Sequence, residues 1–139
     1  MFVTVLWRMD GSPAAGGNNA FADVQNEAYY VEAVQWAAQN GIVMGIGGAQ
    51  FSPDAEVTRE QMATFLYRYE QYSGKIPPET AASQTFTDGG MISEYALNAV
   101  NTLVAQGIIN GKPGNLFDPQ GQATRAEVAA LLQRFLEAL

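Results

Sequence analysis

The sequence predicts an all-α chain, built of helix–loop–helix repeats set as a pseudo-threefold trimer around a central three-helix bundle. Three observations predict it. The stretch "FSPDAEVTREQMATFLYRY" (51–69) returns as "FDPQGQATRAEVAALLQRF" (117–135) at a constant step of 66 residues. That step pairs Phe51 with Phe117, Pro53 with Pro119, Thr58 with Thr124, Arg59 with Arg125 and Arg68 with Arg134. The opening "MFVTVLWRM" fits as the tail of the same stretch at a step of 60, aligning Phe2 with Met62 and Arg8 with Arg68. Apolar residues in all three copies recur with helical spacing, giving three equivalent amphipathic helices. Self-similarity at this length marks a repeat architecture whose units need neighbours to bury their faces.

In chain order, residues 1–10 read as the terminal helix of an incomplete first repeat, with a stripe of Phe2, Val5, Leu6 and Met9. Residues 11–20, rich in Gly, Pro, Ala and Asn, are a linker. Repeat two spans 21–72, a second linker 73–85 and repeat three 86–139. Each complete repeat opens on "FADV" (from 21) or "FTDG" (from 86). A first helix follows, with Tyr30, Ala33, Val34 and Ala37, or Ala96, Ala99, Val100 and Leu103, on one stripe. Gly41 and Gly107 are placed as left-handed C′ stops, and the "IV" and "II" after them close the cap by apolar contact. A glycine-rich turn and a short extended piece lead to the second helix. Its stripe is Met62, Phe65, Leu66 and Tyr69 in one repeat, and Val128, Leu131, Leu132 and Phe135 in the other.

Composition excludes several classes of function. A net charge of −7 with only seven basic residues excludes a broad basic face for nucleic acid. An anion can be held only where some of those seven cluster. With no cysteine there is no disulfide and no thiol chemistry. With no histidine, the commonest general base and the commonest transition-metal ligand are both missing. The run from Asp118 to Glu127 lacks the alternating acidic ligands of a calcium loop, so no metal or cofactor site is expected. No apolar run approaches the roughly 18 residues of a membrane span, and the start lacks a signal-peptide pattern. A chain of this kind working outside the cell is expected to be part of a longer exported protein.

The start of each second helix carries the candidate chemistry. Thr58 with Gln61, and Thr124 with Glu127, have the spacing of capping boxes, in which threonine caps the third amide and Gln or Glu reaches back. Caps do not account for Arg59 and Arg125, since a cation in the first turn opposes the helix dipole. Either each is a solvated arginine paired with a nearby acid such as Asp54 or Glu56, or each marks an anion site beside free helix amides. The turns "GIGGAQF" and "GKPGNLF" place Gly45 and Gly48 opposite Gly111 and Gly114. These glycines either serve tight turns or admit a flat ligand to the backbone. Lys112 is a solvated loop lysine or a second positive group. Asp23 and Asp88 are turn caps or acceptors for ligand hydroxyls. Trp36, Tyr29, Tyr30 and Tyr95 are mostly core, with one exposed ring available to stack on a sugar.

The ordered set "FADV", "NGIVMG", "GGAQFSPDAEVTREQ", then "FTDG", "QGIING", "GNLFDPQGQATRAE" resembles the S-layer homology (SLH) domain family over nearly the whole chain. The resemblance implies repeats around a three-helix bundle, with grooves between repeats. It also implies a non-catalytic, extracellular module that anchors a bacterial surface protein to secondary cell-wall polysaccharide, often one bearing pyruvate-ketal sugars. The carboxylate of such a ketal suits the arginines named above. Gln61 stands where the family has glutamate, and Asp88 is followed by Gly-Gly rather than a hydrophobic residue. The resemblance therefore directs attention to the groove between repeats two and three, with Arg59, Asp88, Lys112 and Arg125 as candidates. The competing expectation is an assembly module that dimerises or swaps to complete its first repeat. An enzyme is not expected, because no two of the fourteen acids stand out as a catalytic pair.

Overall fold

The structure is a computed structural model, and it describes residues 2–14, 31–42, 57–80 and 85–139. Among these are five α-helices: α1 (Phe2–Met9), α2 (Val31–Gln39), α3 (Arg59–Ser73), α4 (Glu94–Ala105) and α5 (Arg125–Ala138). A 3-10 turn, Gly89–Met91, precedes α4. The described residues hold no strand, only the isolated bridges Thr58–Gln122 and Lys112–Leu116. The all-α expectation is met, while the extended piece after Gly107 does not become a strand.

Local sequence explains the helix ends. After α2, Gly41 takes φ +71°, its N–H donates to the Ala38 carbonyl at 3.3 Å, and the Ile42 N–H donates to Ala37 at 2.8 Å. After α4 the same pattern recurs. Gly107 has φ +75°, and the N–H groups of Gly107 and Ile108 reach the Val104 and Leu103 carbonyls, both at 3.0 Å. Both are Schellman caps, closed by the fully buried Ile42 and Ile108.

The chain divides into two compact units, residues 1–55 and 56–139. The division falls inside repeat two rather than at a linker. In the first unit α1 packs against α2, and in the second α3 packs against α4. The second-type helices α1 and α3 thus each lie on the first helix of the repeat that follows. Apolar burial drives this pairing at roughly 25 cal/mol per Å².

In the first unit, Phe2, Val3 and Leu6 of α1 are buried with Ala33, Val34, Trp36 and Ala37 of α2. Val3 takes a place in the core that the sequence pattern gave to Val5 and Met9, which are half-buried. In the second unit the expected α4 stripe is wholly buried, as are Met62, Leu66 and Tyr69 of α3 and Leu131, Leu132 and Phe135 of α5. Phe65 and Val128 are half-buried. The rings of Tyr69 and Phe135 meet edge-on at 6.2 Å between centroids.

Candidate functional site

The site in the second unit is built around the start of α3. Thr58 and Gln61 form the full capping box: the Gln61 N–H donates to Thr58 Oγ1 at 3.2 Å, and the Thr58 N–H donates to Gln61 Oε1 at 3.0 Å. The two preceding helix amides are also taken. The Arg59 N–H donates to the Gly121 carbonyl at 2.9 Å and the Glu60 N–H to the Pro119 carbonyl at 3.0 Å. The expected anion site on free amides is therefore not present at α3, because the F-x-P loop of repeat three fills it with its own carbonyls.

The Arg59 side chain is held in the same way. Its Nε donates to the Phe117 carbonyl at 2.6 Å, its guanidinium lies 5.2 Å from the Phe117 ring centroid, and its Nη1 pairs with Glu127 Oε2. Only 8% of the Arg59 side chain is exposed. Its acid partner is Glu127, 68 residues away, while Asp54 and Glu56 lie outside the described residues. This has a consequence at α5. Thr124 caps the Glu127 amide at 3.1 Å, but the Glu127 carboxylate goes to Arg59 instead of returning to the Thr124 amide, so the second box is only half made.

Asp88 holds the loop that holds Arg59. Its Oδ1 and Oδ2 accept from the Phe117 and Asp118 amides, both at 2.8 Å. Partial burial raises its carboxyl, but these amide hydrogen bonds and the charge of Arg59 outweigh that and leave it below the ordinary aspartate value. Phe86, two residues earlier, is buried with its ring 5.4 Å from that of Phe117. The phenylalanine and aspartate of "FTDG" are thus the near end of one clasp, and Arg59 and Glu127 are the far end. Asp88 here supports the backbone of the 117–118 loop.

Beside the clasp lies a groove of about 440 Å³. Arg59 and Met62 of α3 line one side, residues 108–113 and Phe117 another, and Ala126, Glu127, Ala130, Leu131 and Arg134 of α5 a third. Among the described residues, three basic side chains line it, Arg59, Lys112 and Arg134, against one acid, Glu127. Gly111 lines the groove because no side chain fits there. A Cβ would stand 2.8 Å from the Phe86 ring and 3.1 Å from the Leu116 carbonyl. The Lys112 ammonium is 2.8 Å from Asp118 Oδ2, in a pair whose side chains are 39% and 44% exposed.

Of the expected site residues that are described, Arg59, Gly111 and Lys112 line the groove and Asp88, Gly114, Arg125 and Trp36 do not. Arg125 is exposed at the start of α5 and does not line the groove. Gly114 serves the turn, with φ +83°, and is also outside it. Trp36 is 2% exposed in the first unit, so it is core and not a stacking platform. Asp23, Gly45, Gly48, Tyr29 and Tyr30 lie outside the described residues. Tyr95 is half exposed and away from the groove, where its hydroxyl donates to Glu60 Oε2 at 3.0 Å.

Sequence reasoning missed two residues. Arg134 lines the groove, and its only signal was its register with Arg68. Glu60 is 5% exposed and accepts from the Ser93 N–H at 2.9 Å and the Ser93 hydroxyl at 2.6 Å, capping α4 from another helix. Nothing local announces that role.

Comparison with known proteins agrees with this architecture. The sequence profile of the S-layer homology domain matches residues 20–63 and 85–129. The chain is 38% identical over 120 residues to an exoglucanase, XynX, of Acetivibrio thermocellus, matching 86% of this chain and 11% of that protein. It is 29% identical over 137 residues to a cellulosome-anchoring protein of the same species, covering 99% of this chain and 30% of that one. It is 27% identical over 126 residues to the surface-layer 125 kDa protein of Lysinibacillus sphaericus, covering 88% and 10%. The chain spans less than a third of the length of each of these relatives. With both repeats matched in register over more than half its length, the chain belongs to the S-layer homology domain family.

Proposed function

We propose that the chain is a non-catalytic anchoring module at the bacterial cell surface. It holds a secondary cell-wall polysaccharide, without covalent linkage, in the groove between repeats two and three. The observation that carries this reading is the charge of the groove: three cations and one acid among the described residues that line it, in a chain of net charge −7. That balance suits an anionic glycan, such as one bearing pyruvate-ketal carboxylates. The walls of the groove combine aliphatic surface from Met62, Ile108, Ile109 and Leu131 with a few polar groups, as sugar sites require. Glu127, the one carboxylate among the described residues lining the groove, is committed to Arg59, whereas glycoside hydrolysis uses a pair of carboxyl groups. The anchoring relatives named above support the surface location, and no helix among the described residues is long and apolar enough to cross a membrane.

The test is co-sedimentation with cell-wall sacculi of the source organism, intact or stripped of secondary polymer. Pelleting with intact walls only is expected. Equal pelleting with both, or with neither, would contradict the reading.

A second reading, an assembly module that pairs with another chain, is favoured by one observation. At the start of α5 the Arg125 and Ala126 amides have no hydrogen-bond partner among the described residues, where their counterparts at Arg59 and Glu60 are paired with a following repeat. Light scattering across a concentration series distinguishes it, since an assembly module would show a dimer and a simple anchor a monomer.

A further inference from the structure

The three cations of the groove are not equivalent. Arg59 is buried, its charge is matched by Glu127, and its remaining contacts are the carbonyl and ring of Phe117. Moving it toward a ligand would break the clasp. Lys112 pairs with Asp118 where both side chains are well exposed. Pairs in that setting are worth about 0–1 kcal/mol, so the ammonium can turn to a better partner at small cost. Arg134 has no acid within 4 Å among the described residues, and its one polar contact is a marginal 3.5 Å approach of Nη1 to the Ile108 carbonyl. It is exposed along the groove wall, on the turn of α5 after Leu131. Its guanidinium keeps nearly all its donors and its full charge.

We infer that Arg134, assisted by Lys112, is the group that recognises the anion of the ligand in this groove, and that Arg59 shapes the groove without binding. This rests on the anchoring reading above. The ligand group expected is a planar carboxylate. Arg134 can grip it with two parallel N–H donors while Lys112 supplies a point charge from the facing loop. The choice of Arg134 over the arginines of the repeated "TR" motif follows from what each already holds. Arg59 is buried and committed to Glu127 and Phe117, and Arg125 does not line the groove.

The experiment measures affinity for intact sacculi by depletion, with the full chain and the variants Arg134→Gln, Lys112→Gln and Arg125→Gln. The same sacculi with their carboxylates amidated serve as a second probe. Circular dichroism checks that each variant keeps the wild-type thermal midpoint. Loss of a charge-assisted contact predicts an affinity about 10- to 100-fold weaker for Arg134→Gln, a smaller loss for Lys112→Gln and no change for Arg125→Gln. Amidated walls should bind wild type no better than intact walls bind Arg134→Gln. Wild-type binding that Arg134→Gln leaves unchanged overturns the assignment while the anchoring reading stands. Equal binding to amidated walls also overturns it. Failure of the wild type to bind intact walls removes the anchoring reading, and the assignment with it.

Discussion

Helices α3 and α5 are copies of one sequence pattern in two different situations. Arg59 is buried and its counterpart Arg125 exposed, and Ala63 is buried and Ala129 exposed. Glu70 of α3 is 0% exposed, while the residue in its place on α5, Leu136, is 54% exposed. Polarity and burial are thus inverted at that position. The difference comes from the neighbour. Helix α3 is covered by α4 and by the loop at 117–121, which supply carbonyls for its first amides and a carboxylate for its arginine. No described segment does the same for α5. The "TR" signature is therefore half of a joint, and what its arginine does is decided by the repeat that follows.

The largest expected effect of breaking this comparison is at the arginines. Arg59→Ala leaves the Phe117 carbonyl and Glu127 without their partner and should lower stability by about 3 kcal/mol. Arg125→Ala should change it by less than about 0.5 kcal/mol. Urea denaturation of both variants measures this, and equal effects would break the comparison.

A smaller effect tests the covered face. Ala63 is fully buried, so Ala63→Leu overfills its surroundings and should cost about 1–3 kcal/mol. Ala129→Leu, on the open face, should be nearly neutral. Thermal melts of the two variants provide the check.

Glu70 sharpens the contrast through pH. Neither of its carboxyl oxygens makes a hydrogen bond of normal geometry among the described residues, though Gln106 lies near enough to act on it. Burial pushes its carboxyl from 4.5 up to about 7, against a weaker opposing pull from Gln106. The folded state keeps its proton where the unfolded chain has lost it. Stability should therefore fall as pH rises from about 4.5 to about 7, then level off. Glu70→Gln should flatten that slope and be more stable than wild type at pH 8 by about 1–2 kcal/mol. A pH series of denaturation midpoints decides it, and a slope that persists in the variant would contradict the assignment to Glu70.

The caps give the smallest effect. Thr58→Ala opens a complete box and Thr124→Ala only half of one. Both should cost about 1 kcal/mol, the first the more, as read from denaturation midpoints.

Much of the fold was legible because its causes are local. Helical spacing marked the stripes of α3, α4 and α5, and Thr58, Thr124, Gly41 and Gly107 marked helix ends through cap chemistry within four residues. The candidate site was legible only in outline. The motif residues do converge between repeats two and three, where Arg59, Asp88, Phe117 and Glu127 build the joint beside the groove. Nothing in the sequence distinguishes Arg59 from Arg125, because the difference lies in a partner 68 residues away. Glu127 fits a capping box by spacing, yet Arg59 competes for its carboxylate and wins it. Trp36 was open to stacking by residue type, and only packing against α1 and its neighbours shows it to be core. Arg134 was visible as a register mark, and its lack of an acid partner among the described residues is a tertiary fact.

The most direct test of the account is to map the ligand on the protein. Soluble secondary polymer released from the wall would be titrated into labelled protein while amide and arginine side-chain resonances are followed. The account predicts that shifts gather on residues 108–113 and on the Arg134 guanidinium, with the start of α5 at Arg125 unmoved. Shifts gathered at Arg125 and Ala126, with the groove unchanged, would contradict it.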